Sequence, residues 1–232
     1  MKAMGAVFLG IVGGVIAAAT PVHANPMLDF NISAHSPNVG SIKYTTVGGA
    51  LTGIGVKPDN VTGLNTPLNN GATGVCVGCT LNFTTGALTS TTGSQWFFGG
   101  GGSIVLKGGI DFDGGGLGGP NDVAAGTTLL NGTFTIADVE ALGPTFKVSI
   151  AVFSDVKDPT LLAFYGLPSN IPYDGNFNIS FMATGSPPGT FASTQVLSGD
   201  VVNSPTPEPG SMILLGSGLA GFAYLARRRK HQ

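Results

Sequence analysis

Cys76 and Cys79 are the only cysteines of the chain, and they bracket the run Cys-Val-Gly-Cys. This spacing suits a disulfide, a redox-active thiol pair or half of a metal site. A redox pair of the thioredoxin kind lies at the start of a helix, which lowers a thiol pKa, whereas residues 80–85 are typical of a strand. A zinc site needs about four ligands, and His35 is the only histidine between the two terminal segments. Export of the protein would favour the disulfide, because disulfides persist outside the cytoplasm.

A second group of candidate ligands is acidic and lies in the glycine-rich run of residues 111–122. Numbered as an EF-hand loop, this run places Asp111 at position 1, Asp113 at position 3 and Asp122 at position 12. Carboxylate oxygens on a flexible loop suit Ca²⁺. The match is incomplete, because Gly115 occupies position 5 and strands are expected where an EF-hand has helices. A calcium site and a solvated loop between two strands both remain open.

Aromatic side chains cluster at Trp96-Phe97-Phe98. Such a cluster either offers a surface on which a sugar ring stacks or packs into the core. We retain ligand stacking at Trp96 as an alternative to the core interpretation.

Groups that could perform catalysis are sparse. The sequence contains no G-x-S-x-G and no H-E-x-x-H run, so the serine-hydrolase and zinc-hydrolase templates lack their parts. Pairs of acids such as Asp138 with Glu140, or Asp155 with Asp158, could face one cleft as in a glycosidase. Acids in turns and on polar strand faces are the simpler interpretation. We therefore predict that the protein is not an enzyme and needs no cofactor, with a secreted hydrolase as the least favoured alternative.

The elements that would position these residues are strands. Gly, Thr, Ser and Asn are abundant between the two ends of the chain, together with Val, Ile, Leu and Phe, a mixture that favours short strands and turns. Residues 145–153 show the clearest period of two: Phe146, Val148, Ile150 and Val152 alternate with polar or small residues. The body is mildly acidic and gives no electrostatic support for nucleic-acid binding.

About ten short strands separated by turn residues predict an antiparallel β-sandwich or jelly-roll-like fold for residues 25–205, with a β-solenoid as the alternative. Residues 57–74 are expected to be an exposed loop, and no sizeable helix is expected outside the two terminal segments. The expected strands cover residues 27–34, 41–47, 50–56, 80–85, 95–98, 103–112, 127–137, 145–153, 176–183 and 191–202.

Residues 1–24 have the pattern of a secretory signal peptide. Met1 and Lys2 form a minimal basic region, residues 3–19 are apolar, and the segment ends in Val-His-Ala at Ala24. The pattern predicts a signal helix, export through the Sec translocon and cleavage by signal peptidase after Ala24. An uncleaved N-terminal anchor is the alternative.

The C-terminal residues 206–232 have three parts. Pro207, Glu208 and Pro209 form a stiff, exposed peptide because proline fixes its own φ and restricts the residue before it. Residues 210–226 carry no charge and match a short transmembrane helix. The basic cluster that follows is expected to stay in the cytoplasm, which places the body on the other side of the membrane. This cluster consists of Arg227, Arg228, Arg229 and Lys230.

These three parts, in this order, resemble the PEP-CTERM sorting signal of Gram-negative bacteria, which is the substrate tag of the membrane protease-transpeptidases called exosortases. The resemblance covers residues 206–232. It implies processing at Pro207, Glu208 and Pro209, removal of the helix and the basic tail, and delivery to the cell surface or to an exopolysaccharide matrix. An ordinary tail anchor preceded by a proline linker is the alternative.

Together these features predict an exported protein that is anchored transiently in the inner membrane with its body in the periplasm and is then sorted by an exosortase to the surface. Its expected role is structural or adhesive, linked to exopolysaccharide or biofilm. A carbohydrate- or calcium-binding module, using Trp96 or the acidic run, is the alternative. Because two signals indicate export, the disulfide between Cys76 and Cys79 is the favoured pairing.

Overall fold

A computed structural model of the chain describes residues 24–206 and 218–221. Residues 1–23 of the predicted signal segment, the Pro-Glu-Pro residues, most of the predicted transmembrane segment and the basic cluster lie outside the described residues. Within the described ranges, no helix is both long enough and apolar enough to cross a membrane.

The described body consists of strands and one short helix. The strands alternate in most places between buried and exposed side chains, as the period of two in the sequence predicts. In chain order the elements are β1 (Met27–Ile32), β2 (Ser41–Tyr44), β3 (Ala50–Val56), β4 (Asn60–Leu64), β5 (Thr73–Thr92), β6 (Gln95–Phe98), β7 (Gly101–Asp111), β8 (Val123–Leu142), β9 (Thr145–Lys157), α1 (Pro159–Tyr165), β10 (Tyr173–Ala183) and β11 (Phe191–Pro205).

The strand pairings close the sheet on itself. At one end, the order β1-β4-β5-β7-β8-β9-β10-β11 returns to β1. At the other end, β3 and β2 connect β5 to β11, and β6 connects β5 to β8. Every pairing in this network is antiparallel. The predicted antiparallel all-β fold is therefore confirmed, and these pairings are not the stacked parallel coils of a solenoid.

One continuous apolar core fills the space inside the closed sheet. Its aromatic rings pack edge-to-face or tilted, with centroids 5.0–6.0 Å apart for the pairs formed by Tyr44, Phe83, Trp96 and Phe134 with their neighbours. Such rings stabilise a fold both by the area they bury and by ring–ring attraction. The largest fully buried side chains are Trp96, Tyr44, Tyr165, Tyr173, Phe30, Phe98, Phe146, Phe153, Phe177 and Phe181.

Two predicted boundaries are wrong for a common reason. The expected loop at residues 57–74 contains β4, in which Val61 is buried and Gly63 lies against the Tyr165 ring, where a Cβ would not fit. Strand β5 is 20 residues long, whereas only residues 80–85 were expected to form a strand there. Gly78, with φ of +64°, lies within β5 at a register shift between Val77 and Thr80. Gly63 and Gly78 thus mark a close contact and a bulge, not the end of a strand.

Helix α1 was not predicted, because seven residues are too few to show helical periodicity. Its caps are nevertheless present in the sequence. The Asp158 carboxylate accepts a hydrogen bond from the Leu161 amide at 2.9 Å, Pro159 occupies the first turn, and Gly166 ends the helix in the left-handed conformation. The helix is held by burial of Leu161, Leu162 and Tyr165.

Strand β9 changes its inward face partway along. The predicted alternation holds at Phe146 and Val148, which are buried, but from Ala151 onward the other set of residues faces inward. A register shift against β8 between Ala137 and Val139 produces the change. As a result, Asp155 and Lys157 follow Phe153 into the interior.

Two carboxylates lie close together where β1 pairs with β11. Burial raises the pKa of Asp29, and the charge of Asp200 raises it further. Burial also raises the pKa of Asp200, against the opposing charge of Lys147. The Asp29 Oδ1 atom accepts no hydrogen bond within the described structure. Ionised Asp29 therefore costs folding free energy.

Asp29→Asn is expected to stabilise the protein at pH 7. Because the folded-state pKa values of both acids are raised, the folded protein binds these protons more tightly than the unfolded chain. The stability contributed by the protonated acids is thus lost as the pH rises above the unfolded value of about 3.9 and through the folded value. The advantage of the variant should shrink toward zero below that window. Thermal unfolding of variant and wild type from pH 3 to 8 measures it, with Asp174→Asn, at an exposed acid of β10, as control. An advantage that is independent of pH would contradict the prediction.

Candidate functional site

The two cysteines form a disulfide between Cys76 and Cys79, with their Cα atoms 5.4 Å apart. It spans the bulge of β5 at Gly78. Cys79 is buried against β7, where Gly108 leaves room: a Cβ at that position would lie 2.5 Å from the Cys79 sulfur. The disulfide prediction is confirmed. A bridge that closes so short a loop removes little unfolded-state entropy, so its main effect is to fix the bulge.

The three predicted acidic ligands do come together in the loop between β7 and β8. One carboxylate oxygen from each of Asp111, Asp113 and Asp122 lies within 4.8 Å of the others. These carboxylates also organise the loop, because each accepts hydrogen bonds from backbone amides. Asp111 accepts from residues 113, 114 and 116 at 3.2, 2.8 and 2.9 Å, Asp113 from residue 115 at 2.8 Å, and Asp122 from residues 112, 118 and 119 at 3.0, 3.1 and 2.7 Å.

Calcium binding at this loop stays a prediction. Ca²⁺ takes about 6–8 oxygen ligands, whereas the cluster supplies three acids whose oxygens already accept amide hydrogens. The loop geometry therefore has a sufficient explanation in its own hydrogen bonds. The Phe112 ring, stacked on Phe164 at 3.6 Å between centroids, joins the loop to helix α1.

Asp122→Asn is expected to loosen this loop. The hydrogen bond from the Phe112 amide lowers the pKa of Asp122 most, with those from Gly119 and Gly118 adding to it against a smaller effect of desolvation. This stabilisation is present above the unfolded pKa of about 3.9 and is lost as the pH falls through the lower folded value. An amide side chain at position 122 offers one acceptor oxygen and no charge. Hydrogen exchange at the amides of residues 112, 118 and 119 should become faster at neutral pH, and Asp113→Asn should have a smaller effect, because Asp113 accepts from one amide through one oxygen, which asparagine retains. Unchanged exchange at all three amides would refute this role of Asp122.

Trp96 lies in the core. Its side chain is 0% exposed, its Nε1 donates a hydrogen bond to the Gly189 carbonyl oxygen at 3.0 Å, and its ring contacts those of Phe146 and Phe191. A stacked sugar needs an exposed ring face. The ligand-stacking hypothesis at Trp96 is therefore wrong, and the core interpretation is correct.

The structure also places a polar cluster inside the core that the sequence analysis did not predict. Lys157 Nζ forms an ion pair with Asp155 Oδ2, and both side chains are 0% exposed. The other oxygen of the same carboxylate, Oδ1, accepts a hydrogen bond from Asn203 Nδ2 at 3.2 Å. Lys157 Nζ also lies 4.6 Å from the centre of the Tyr173 ring. We call Asp155, Lys157 and Asn203 the buried triad.

The buried triad corrects the interpretation of Asp155 as an acid in a turn or on a polar strand face. Asp155 points into the core, while Asp158 caps helix α1. The only sequence signal for the triad was the spacing of Phe153, Asp155 and Lys157 at every second position, and the bulge in β9 obscured it.

At the C-terminal end of the described body, pairing and hydrogen bonds fix the residues just before Pro207. Strand β11 ends at Pro205, which pairs with Tyr173. The amide and the hydroxyl of Thr206 both donate hydrogen bonds to the Pro172 carbonyl oxygen, at 3.2 and 2.8 Å. Thr206, which immediately precedes Pro207, is therefore held by the body.

A family model described as the PEP-CTERM protein-sorting motif matches residues 205–230. The chain carries a PEP-CTERM sorting motif. The match covers the Pro-Glu-Pro residues, the uncharged segment and the basic cluster, which are the parts whose order gave the resemblance. It confirms that resemblance. The PEP-CTERM motif makes this an exported, membrane-processed protein whose processing partner is an exosortase.

The comparisons reach no further than this motif. No curated protein and no solved structure matches the chain. The family match begins at residue 205, which is the last residue of β11 and pairs with Tyr173. The sorting motif thus joins the folded body directly.

Proposed function

We propose that the body of this PEP-CTERM protein is a non-catalytic structural or adhesive component of the cell surface or of an exopolysaccharide matrix. The observation that carries the proposal is the sorting motif at residues 205–230, joined directly to a closed antiparallel body. Because the body is joined directly to the motif, it is delivered to the same place as the C-terminal end that the exosortase processes.

The construction of the body supports a role outside the cell. Each strand of the ring that contains β1 and β11 has a hydrogen-bonded neighbour on both sides, so the ring presents no long unpaired edge to other chains. The disulfide at Cys76 and Cys79 fixes a bulge, and disulfides persist outside the reducing cytoplasm. Both features suit a protein that must stay folded outside the cell.

The sorting step is tested by replacing Pro207, Glu208 and Pro209 with alanine. In cells that contain the exosortase, the wild-type protein should lose the segment after the motif and leave the inner membrane, while the variant should stay full-length and membrane-bound. Glu140→Ala, which removes an acid outside the motif, should be processed like wild type. Mass spectrometry and membrane fractionation measure both outcomes. Equal processing of wild type and triple variant would contradict exosortase sorting at this motif.

The matrix role needs a separate experiment. We expect the processed protein to sediment with the host's purified exopolysaccharide, and cells that lack the protein to retain less matrix. Wild-type matrix in the deletion strain, together with no co-sedimentation, would refute the structural role even if sorting is correct. Release of reducing sugar from the same polysaccharide, abolished by an acid-to-amide substitution, would identify a hydrolase instead.

A further inference from the structure

We propose that Lys157 and Asn203 become joined by an intramolecular isopeptide bond, with Asp155 transferring the proton. The inference is independent of the sorting motif and rests on the geometry of the buried triad. The two oxygens of one carboxylate contact the lysine amine on one side and the asparagine amide on the other. Nucleophile, acceptor and proton carrier thus lie within one hydrogen-bonded chain.

The sheet is shaped to bring these residues together across an intervening strand. Lys157 and Asp155 lie on β9 and Asn203 on β11, while β10 runs between them. Gly175 of β10 pairs with both Phe153 and Asn203, and a Cβ there would overlap the Phe153 ring and the Asn203 amide nitrogen. Only the missing side chain of Gly175 lets Asn203 reach across β10 to Asp155.

The opposite side of Asp155 is kept clear in the same way. Gly132 of β8 pairs with Asp155, and a Cβ at Gly132 would lie 2.7 Å from the Asp155 Cβ. The Tyr173 ring lies beside Lys157 Nζ, and the Phe153 ring lies beside Gly175. The side chains of Lys157 and Asp155 are 0% exposed and Asn203 is fully buried, so bulk water does not reach the amine or the amide, which favours aminolysis over hydrolysis.

The surroundings also favour the reactive protonation states. Burial lowers the pKa of Lys157 and raises the pKa of Asp155, so both groups are driven toward their neutral forms. A neutral amine is a nucleophile, and a protonated carboxyl can donate to a leaving group. Asn203 Oδ1 is buried and accepts no hydrogen bond within the described structure, so its carbonyl is not stabilised by a competing donor.

The reaction is balanced without any further reactant. Lysine ammonium gives one proton to the Asp155 carboxylate, and the free Nζ lone pair attacks Cγ of Asn203 to form a tetrahedral intermediate. The intermediate collapses with cleavage of the Cγ–Nδ2 bond, while Asp155 delivers its proton to the departing nitrogen. The departing nitrogen, which already carries two hydrogens, thus leaves as ammonia, and the Asp155 carboxylate takes the second Nζ proton, which leaves a neutral amide. The chain becomes lighter by about 17 Da, the mass of ammonia.

The bond would lie close to the C-terminal end of β11, where the body joins the sorting motif. Asn203 is on β11, which ends at Pro205. A covalent link from β9 to the end of β11 would transmit tension applied at the C-terminus into the body and not into a row of hydrogen bonds.

Peptide mapping of the full chain tests the proposal directly. Trypsin should fail to cleave after Lys157, because an acylated amine is not recognised. Chymotryptic digestion should yield a branched peptide that contains Lys157 and Asn203 and is about 17 Da lighter than the sum of its two linear parts. Quantitative cleavage after Lys157 with two unmodified linear peptides, obtained from folded protein, would overturn the proposal.

Variants separate the covalent bond from a simple ion pair. Asp155→Asn keeps the size of the side chain and both bond partners but removes the proton carrier, so the branched peptide should disappear. Lys107→Met removes an exposed lysine of β7 and should leave the branched peptide at the wild-type yield. Fluorescence of Trp96, the only tryptophan, reports whether each variant is folded. A branched peptide in folded Asp155→Asn at wild-type yield would overturn the role assigned to Asp155.

Discussion

Replacing Trp96 with alanine is expected to lower the free energy of unfolding by about 3–5 kcal/mol, the range found when a large aromatic side chain is removed from a core. The ring is fully buried and is the largest such side chain in the body. It packs on Phe146 at 5.5 Å and on Phe191 at 5.0 Å between ring centroids. Its hydrogen bond to Gly189 also ties β6 to the turn between β10 and β11. The substitution therefore leaves a cavity and an unpaired carbonyl.

Urea denaturation followed by far-ultraviolet circular dichroism measures this loss, since the variant has no tryptophan. Trp96→Phe is the matched control: it keeps most of the ring contacts and loses the hydrogen bond, which contributes about 0.5–1.5 kcal/mol. The phenylalanine variant should thus lie much closer to wild type. A loss below about 1 kcal/mol for Trp96→Ala would mean that the ring is not a core residue, contrary to its burial.

The sequence predicted the fold class because its strongest patterns are local. The alternation in residues 176–183 reappears in β10, where Phe177, Ile179 and Phe181 are buried. Residues 95–98 coincide with β6. What the sequence did not reveal is the closure of the sheet, because the pairing of β1 with β11 joins residues at opposite ends of the body. Pairing over such a distance leaves no signal in neighbouring residues.

The candidate sites divide in the same way, into those that neighbouring residues reveal and those that depend on pairing between distant strands. The sorting motif and the disulfide were predictable because each is written in a contiguous run of residues. The acidic loop was predicted as a cluster, but its amide hydrogen bonds depend on backbone geometry that composition does not specify. The buried triad combines residues from two strands with room made by Gly132 and Gly175 on two others. Only the register of four strands brings these positions together.

Lys157→Met is expected to destabilise the protein strongly, by about 3–5 kcal/mol, because it leaves the Asp155 carboxylate buried without its cation. The substitution removes Lys157 from either interaction, the ion pair or the proposed covalent bond that would replace it. A triple variant, Asp155→Leu with Lys157→Met and Asn203→Leu, separates them. It replaces every member of the buried triad with an apolar side chain of similar size, and replacing a buried charged cluster in this way is often neutral or stabilising.

If the triad were only an ion pair, the triple variant should therefore match or exceed the stability of wild type. An isopeptide bond adds a constraint that the triple variant cannot recover. The bond would close a span of 46 residues (203 − 157 = 46), for which the loop-entropy relation gives about 4 kcal/mol. We expect the triple variant to regain the cost of the unpaired carboxylate and still to unfold at lower denaturant concentration than wild type. Chemical denaturation of wild type, single and triple variants measures the difference, and a triple variant as stable as wild type would show that no covalent constraint acts between β9 and β11.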